Sequence, residues 1–322
     1  MTRHAAVAPS QPLAERPPRL GRFVRVAGLR THVLTKGQGR PVVLLHGNGS
    51  LGEEILSALP PVEGVLWIAP DRPGYGRSDP LPEGCFDPLS QAVWLDLLLS
   101  ELGIARATLV AHSIAAGTAL AFAAARAARI DRLVLLSPFC RPTPQRLMLG
   151  LRLASAPVVG RFVREYIVPP VARRLRKRII AGFLRPNRSP PWLQGFPVTH
   201  AAQPRAIKST AEELKAFNTA MRKIEGSLAV ERPVTVIHGL ADETADPSWH
   251  LPWLRRRTRH LRCILVRGCG HAVHHVAPRL VTRAILQDHR SASNGQLDRT
   301  SVVDAPGYPW TAQAAPTSRA TL

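Results

Sequence analysis

The chain has 322 residues, of which 45% are hydrophobic, enough for one large domain or two small ones with a sizeable core. Its formal charge of +21 comes from 43 Lys and Arg against 22 Asp and Glu. The excess is spread from Arg3 to Arg319 with few local concentrations, which argues against a nucleic-acid partner. No run approaches the ~20 apolar residues of a membrane span, and residues 1–19 lack the apolar centre of a secretory signal. Cys85, Cys140, Cys263 and Cys269 show neither paired nor metal-ligand spacing, so a reducing, cytoplasmic setting is expected.

Residues 1–20, rich in Pro, Ala and Arg, are expected to be disordered. Residues 22–26 and 29–35, joined at Ala27-Gly28, read as a hairpin. The continuous apolar run 41–45 (PVVLL) predicts a strand buried on both faces, and it ends in the loop His46-Gly-Asn-Gly-Ser50. Residues 65–70 predict a second such strand, followed by Asp71-Arg-Pro-Gly-Tyr-Gly-Arg-Ser-Asp79. Val93, Leu95, Leu98, Leu99 and Leu102 recur at helical spacing within 91–102, and Gly103 stops that helix.

The stretch ATLVAHSIAAGTAL, residues 107–120, organises the rest. A short apolar strand ends near Ala111, and an Ala-rich helix runs from Ile114 to about Ala128. Ser113 therefore sits at a sharp strand-to-helix turn that lifts its hydroxyl above the sheet edge. Small residues suit such a turn, and Ala111 and Ala115 stand where glycines are usual. Residues 130–136 predict the next strand. Strands alternating with helices imply a parallel sheet with right-handed crossovers.

Beyond Ser137-Pro138 the strand signal stops. Residues 139–230 hold helical pieces at 144–153, 171–183 and 211–223, punctuated by Pro169-Pro170 and Pro190-Pro191, and read as an inserted helical subdomain. Within it, residues 172–179 (ARRLRKRI) are basic and amphipathic; a solvated face and a weak membrane-surface contact both fit. The sheet resumes at 233–238, followed by Gly239-Leu-Ala-Asp242, a helix at 248–256, a last strand at 261–266, the loop Gly268-Cys-Gly-His-Ala-Val-His-His275 and a closing helix at 278–287. Residues 289–322 read as a disordered tail.

Five motifs now stand in order: His46-Gly-Asn, Asp71-Arg-Pro-Gly-Tyr-Gly-Arg-Ser, Ala111-His-Ser-Ile-Ala, His238-Gly-Leu-Ala-Asp and Gly270-His-Ala-Val-His-His. Together they resemble the α/β-hydrolase superfamily, in its capped, esterase- or lipase-like branch, over about residues 22–288. The resemblance implies an α/β fold with a mostly parallel sheet flanked by helices. Residues 21–138 and 231–288 would form its core and 139–230 a helical cap. It implies Ser113 as nucleophile, His271 as its base and later acid, and Asp242 as the group holding the imidazole tautomer. It implies the backbone N–H groups of Asn48 and Ile114 as oxyanion donors. Asp246 competes for the role of acid, but in this family the acid lies three residues after the Gly of a His-Gly pair, which selects Asp242.

The expected reaction is hydrolysis of a small to medium apolar ester, thioester or lactone, without cofactor or metal. His271, His274 and His275 could suggest zinc, but no nearby carboxylate or Cys has the matching spacing. His46 and His112 are expected to be structural. A non-catalytic ligand-binding member of the fold, or a C–C bond hydrolase of diketone-like substrates, would carry much the same residues. Oligomeric state and substrate identity are not encoded in these motifs.

Overall fold

Alternation along the central strands sets the layering. In β3 (Arg40–Leu45), Val42 and Leu44 enter the core on one side of the sheet, while Val43 and Leu45 enter the core on the other. A strand buried on both faces needs helices on both, and the intervening segments supply them. The structure, a computed structural model, describes residues 17–143, 153–154, 156, 159–287 and 299–305.

The remaining strands are β1 (Arg22–Val26), β2 (Leu29–Lys36), β4 (Val65–Pro70), β5 (Ala107–His112), β6 (Ile130–Leu136), β7 (Val234–Gly239), β8 (Leu261–Arg267) and β9 (Thr300–Asp304). They form one nine-stranded sheet in the order β1-β2-β4-β3-β5-β6-β7-β8-β9. β2 pairs antiparallel with β1 and β4, and all other pairs are parallel. Helices α2 (Pro88–Glu101) and α3 (Ala115–Ala125) cover the face carrying Val43, through Leu95, Leu98, Ala119 and Leu120. α1 (Gly52–Ala58) covers the opposite face through Ile55 and Leu56. The expected 91–102 helix starts earlier because Asp87 caps it, accepting from Leu89 and Ser90 N–H, with Pro88 in the first turn where its missing N–H is harmless.

Between β6 and β7 the described residues form helices: Val159–Phe162, a wider π-type turn at Val163–Ile167, α4 (Val168–Leu184), Pro191–Gln194, Val198–Ala201 and α5 (Pro204–Ile224). Residues 144–152 of the expected 144–153 helix lie outside the described residues, as do 1–16 and 306–322. After β7 come α6 (Pro247–Arg255) and, beyond β8, α7 (Pro278–Leu286).

Two elements depart from the sequence reading. α1 lies where only a loop is expected. The strand at 261–266 is not the last, because β9 pairs parallel beside β8, from Cys263 opposite Thr300 to Arg267 opposite Asp304. An edge strand has a sheet partner on one side only, so β9 buries little and carries no apolar alternation, although its TSVVD composition is β-branched.

Candidate active site

β5 ends at His112, and the chain reverses into α3 through Ser113, whose φ of +57° is left-handed. For a residue with a side chain this costs on the order of 1 kcal/mol, so the surroundings must enforce it. They do so through the backbone. Ser113 N–H donates to the Leu136 carbonyl of β6 at 3.0 Å, and the Ser113 carbonyl accepts from Ala116 and Phe139 N–H, each at 3.0 Å. Ala111 and Ala115 are fully buried against the turn, so methyl groups fit where glycine is usual. Gly47 is different. A Cβ there would lie 2.9 Å from His112 Nδ1 and 3.2 Å from Ser113 Cβ, which keeps the 46–49 loop close to the serine only while position 47 is glycine.

Two loops at the same sheet edge bring the partners. Asp242 follows β7 and His271 follows β8. The Ser113 hydroxyl lies 2.9 Å from His271 Nε2, and His271 Nδ1 lies 2.8 Å from Asp242 Oδ2. A carboxylate can only accept, so Nδ1 carries the proton and Nε2 is left to accept from the serine. Asp242 Oδ1 accepts from Thr244 and Ala245 N–H at 2.9 and 3.0 Å. Its Oδ2 also accepts from His238 Nε2 at 3.1 Å. Burial alone would raise the Asp242 pKa, but the hydrogen bonds from His238 and His271 hold it well below the usual carboxylate range. Asp242 is therefore ionised at neutral pH.

The 46–49 loop is pinned by the motif that follows β4. Asp71 accepts from Gly52 N–H, Arg77 N–H and His32 Nδ1, at 2.9, 3.0 and 2.8 Å. Arg72, fully buried, donates from Nε to the His46 carbonyl at 2.7 Å and from its backbone N–H to His46 Nε2 at 2.9 Å. His46 is thus a neutral structural ring: burial, followed by the Arg72 charge, pushes its pKa down to about 4. Asn48 hangs from the same framework. Its side-chain amide donates to Tyr75 Oη at 3.0 Å and to Glu213 Oε2 at 2.9 Å. Among the described residues, the backbone N–H groups of Asn48 and Ile114 have no hydrogen-bond acceptor, and both belong to the turns that flank Ser113.

Two carboxylates escaped the sequence reading. Glu213, from α5, ion-pairs with Arg72 and accepts from Tyr75 Oη at 2.5 Å and Gln91 Nε2 at 2.9 Å, all within the buried interior. Glu54, on α1, accepts from His274 Nε2 at 2.6 Å and His275 Nε2 at 2.5 Å. Burial opposes its ionisation, yet the two imidazoles hold its pKa well below the carboxylate range. For Glu213 the only signal available was an acidic residue in the expected 211–223 helix, and for Glu54, in an expected loop, there was none. Glu54, His112 and His274 each bring one potential metal-ligating atom within 4.8 Å of the others. Ligands on one tetrahedral zinc would stand about 3.4 Å apart, from bonds of about 2.1 Å, so the 2.5–2.6 Å contacts of Glu54 are hydrogen bonds. His112 is buried with its Nε2 3.2 Å from the His271 carbonyl; burial first, then His274 and His271, push its pKa well below the imidazole range. Asp246 is exposed and caps α6 by accepting from Ser248 N–H at 2.8 Å, away from His271.

The fold agrees with comparisons to known proteins. The sequence model of the alpha/beta hydrolase fold family matches residues 40–278, and the chain belongs to that family. A cis-3-alkyl-4-alkyloxetan-2-one decarboxylase of Shewanella oneidensis is 25% identical over 272 residues, covering 78% of this chain and 82% of that protein. A 2-hydroxymuconate semialdehyde hydrolase of Pseudomonas putida is 34% identical over 125 residues, 37% of this chain and only 43% of that relative. Among solved structures, an esterase from Exiguobacterium antarcticum superposes with a TM-score of 0.64 at 18% identity, covering 83% of this chain and 98% of its own. At that identity the likeness is one of fold.

Proposed function

We propose that the protein is a cofactor-independent serine hydrolase that cleaves a small to medium apolar carboxylic ester, thioester or lactone through an acyl-enzyme on Ser113. The observation that carries this reading is the continuous contact from Ser113 Oγ to His271 Nε2 and from His271 Nδ1 to ionised Asp242. His271 takes the Ser113 proton as the hydroxyl attacks the acyl carbon, and Asp242 stabilises the resulting imidazolium. The oxygen that becomes anionic accepts from the Asn48 and Ile114 N–H groups. His271 then protonates the departing alkoxide, and a water activated by the same imidazole releases the acid.

The helical segment 139–230 acts in this reading as a cap that sets acyl preference. Supporting it, the Phe183 ring of α4 stands edge-on to His112 and His271, with centroids 5.9 and 6.5 Å apart. Glu213 of α5 also reaches the loop that carries Asn48. Four free cysteines are consistent with a cytoplasmic location. Hydrolysis of a C–C bond in a diketone-like acid is the second reading, favoured by the relative named for 2-hydroxymuconate semialdehyde, a substrate without an ester bond. A panel of p-nitrophenyl esters of increasing chain length, run beside a vinylogous 1,5-diketone acid, separates the two. Turnover of esters alone supports the first, and turnover of the diketone alone replaces it with the second.

A further inference from the structure

The segment that runs over the site has an outer face the proposed chemistry leaves unused. α4 turns Ala172, Ile180 and Leu184 inward, where Ile180 and Leu184 pack with Leu51 and Ala272, neighbours of the Asn48 loop and of His271. The same helix and the turn before it expose large apolar side chains to solvent. Fifteen large hydrophobic side chains are exposed among the described residues, and seven of them fall within residues 153–179. Val159, Phe162, Tyr166, Ile167, Val171 and Ile179 supply six of these, with the Phe162 and Tyr166 rings 5.2 Å apart. Single exposed apolar residues need no explanation, but nearly half of the exposed large hydrophobics falling on one short segment, with Phe162 and Tyr166 in ring contact, points to a contact surface.

Charge identifies the partner. Residues 159–188 contain nine Arg and Lys (161, 164, 173, 174, 176, 177, 178, 185 and 188) against the single acid Glu165. Arg161 pairs with Glu165. Arg173, Arg174, Lys177 and Arg178 are exposed and have no acidic partner among the described residues. An aromatic and aliphatic knob followed by one turn after another of unpaired cations is complementary to a surface that offers negative headgroups above an apolar layer. A nucleic-acid backbone would satisfy the cations but leave Phe162, Ile167 and Val171 in water.

We propose that residues 159–179 form a docking surface for an anionic lipid bilayer, in which Phe162 and Tyr166 enter the acyl boundary and Arg173, Arg174, Lys177 and Arg178 meet the headgroups. Docking on this face sets the site-facing side of the same helix, with Phe183, close to the lipid surface. Binding does not rest on the hydrolase reading, and a Ser113→Ala variant should bind as well as wild type whatever its activity.

The test is cosedimentation of the full chain with phosphatidylcholine vesicles, with and without phosphatidylglycerol, over a range of salt. The expected result is binding to the mixed vesicles, little to phosphatidylcholine alone, and a decline as salt rises. The Arg173→Glu/Arg174→Glu/Lys177→Glu/Arg178→Glu variant should lose affinity by about 1,000-fold or more. Phe162→Ser/Tyr166→Ser should lose about tenfold for vesicles while leaving any binding to duplex DNA unchanged. Melting curves check that both variants are folded, and either one alone suffices if the other unfolds. Wild type that ignores anionic vesicles overturns the proposal. So does vesicle binding that neither variant weakens, which would assign it to the charge of the whole chain. Binding to DNA that exceeds vesicle binding and needs only the cations overturns it in favour of a polyanion site.

Discussion

Replacing Glu213 by alanine should destabilise the protein more than any other single change in the 139–230 segment. Alanine keeps the α5 helix intact, so the loss is electrostatic. Arg72 is fully buried and Glu213 nearly so, and their ion pair is the only full neutralisation the guanidinium has among the described residues. Burial alone would raise the Glu213 pKa, but the Arg72 charge and hydrogen bonds from Arg72, Tyr75 and Gln91 lower it. Deleting one partner of such a pair leaves the other charged and dry, which costs about 3–5 kcal/mol. For a core of this size that corresponds to a fall in Tm of about 10 °C. Asn48 Nδ2, Tyr75 and Gln91 lose an acceptor in the same step. The loop carrying the Asn48 N–H loosens, and kcat should fall by about tenfold, a fraction of the loss from deleting an oxyanion donor outright. Chemical denaturation with both Glu213→Ala and Arg72→Met/Glu213→Leu provides the assay. The double variant should recover much of the stability, since no charge is left buried. A Glu213→Ala loss below about 1 kcal/mol would refute the reasoning, because the pair would then be solvated.

Other outcomes follow from the same geometry. Asp242→Asn should lower kcat by about 10⁴ with the fold retained, whereas Asp246→Asn should be close to neutral because Asn caps a helix as well as Asp does; steady-state kinetics on both variants decides between them. Stability should fall as the pH drops from about 6.5 to 4. His46 and His250 are both held at about 4 mainly by burial, so over that range the unfolded chain binds more protons. Each contributes up to about 3 kcal/mol, measurable by urea unfolding across that window, and a flat profile would contradict their burial as neutral rings. Phe183→Ala should shift ester preference toward longer acyl chains while changing Tm by no more than about 4 °C, since the ring is only half-buried.

Much of this architecture was legible because its motifs answer local backbone demands. Gly47 lies where a Cβ would strike His112, and Gly76 lies where one would strike the Asp71 carboxylate. Ser113 needed only a buried strand before it and a small-residue helix after it to be placed at a turn. Asp242 was assigned through the family resemblance, in which the acid lies three residues after the Gly of a His-Gly pair, and it stands 2.8 Å from His271. What stayed hidden depends on contacts distant in sequence. Glu213 meets Arg72 across 141 positions, and Glu54 meets His274 across 220. Neither separation leaves a period or spacing to read. The carboxylate missing from the zinc pattern around His271 was supplied in this way, and the distances then made it a hydrogen-bond acceptor. β9 was missed for the opposite reason, since an exposed edge strand has little burial to record in its sequence.

The most direct test of the central claim is the covalent fate of Ser113. Intact-mass and peptide mass spectrometry of the folded protein treated with a fluorophosphonate should find one adduct, on Ser113. The adduct should be absent in Ser113→Ala and form far more slowly in His271→Ala, with Ser113→Ala also losing on the order of 10⁶ in kcat on any ester turned over. A folded wild-type protein that takes no label at Ser113, or takes it elsewhere, and hydrolyses no ester would contradict the claim and leave the contact between Ser113, His271 and Asp242 as part of a ligand-binding site.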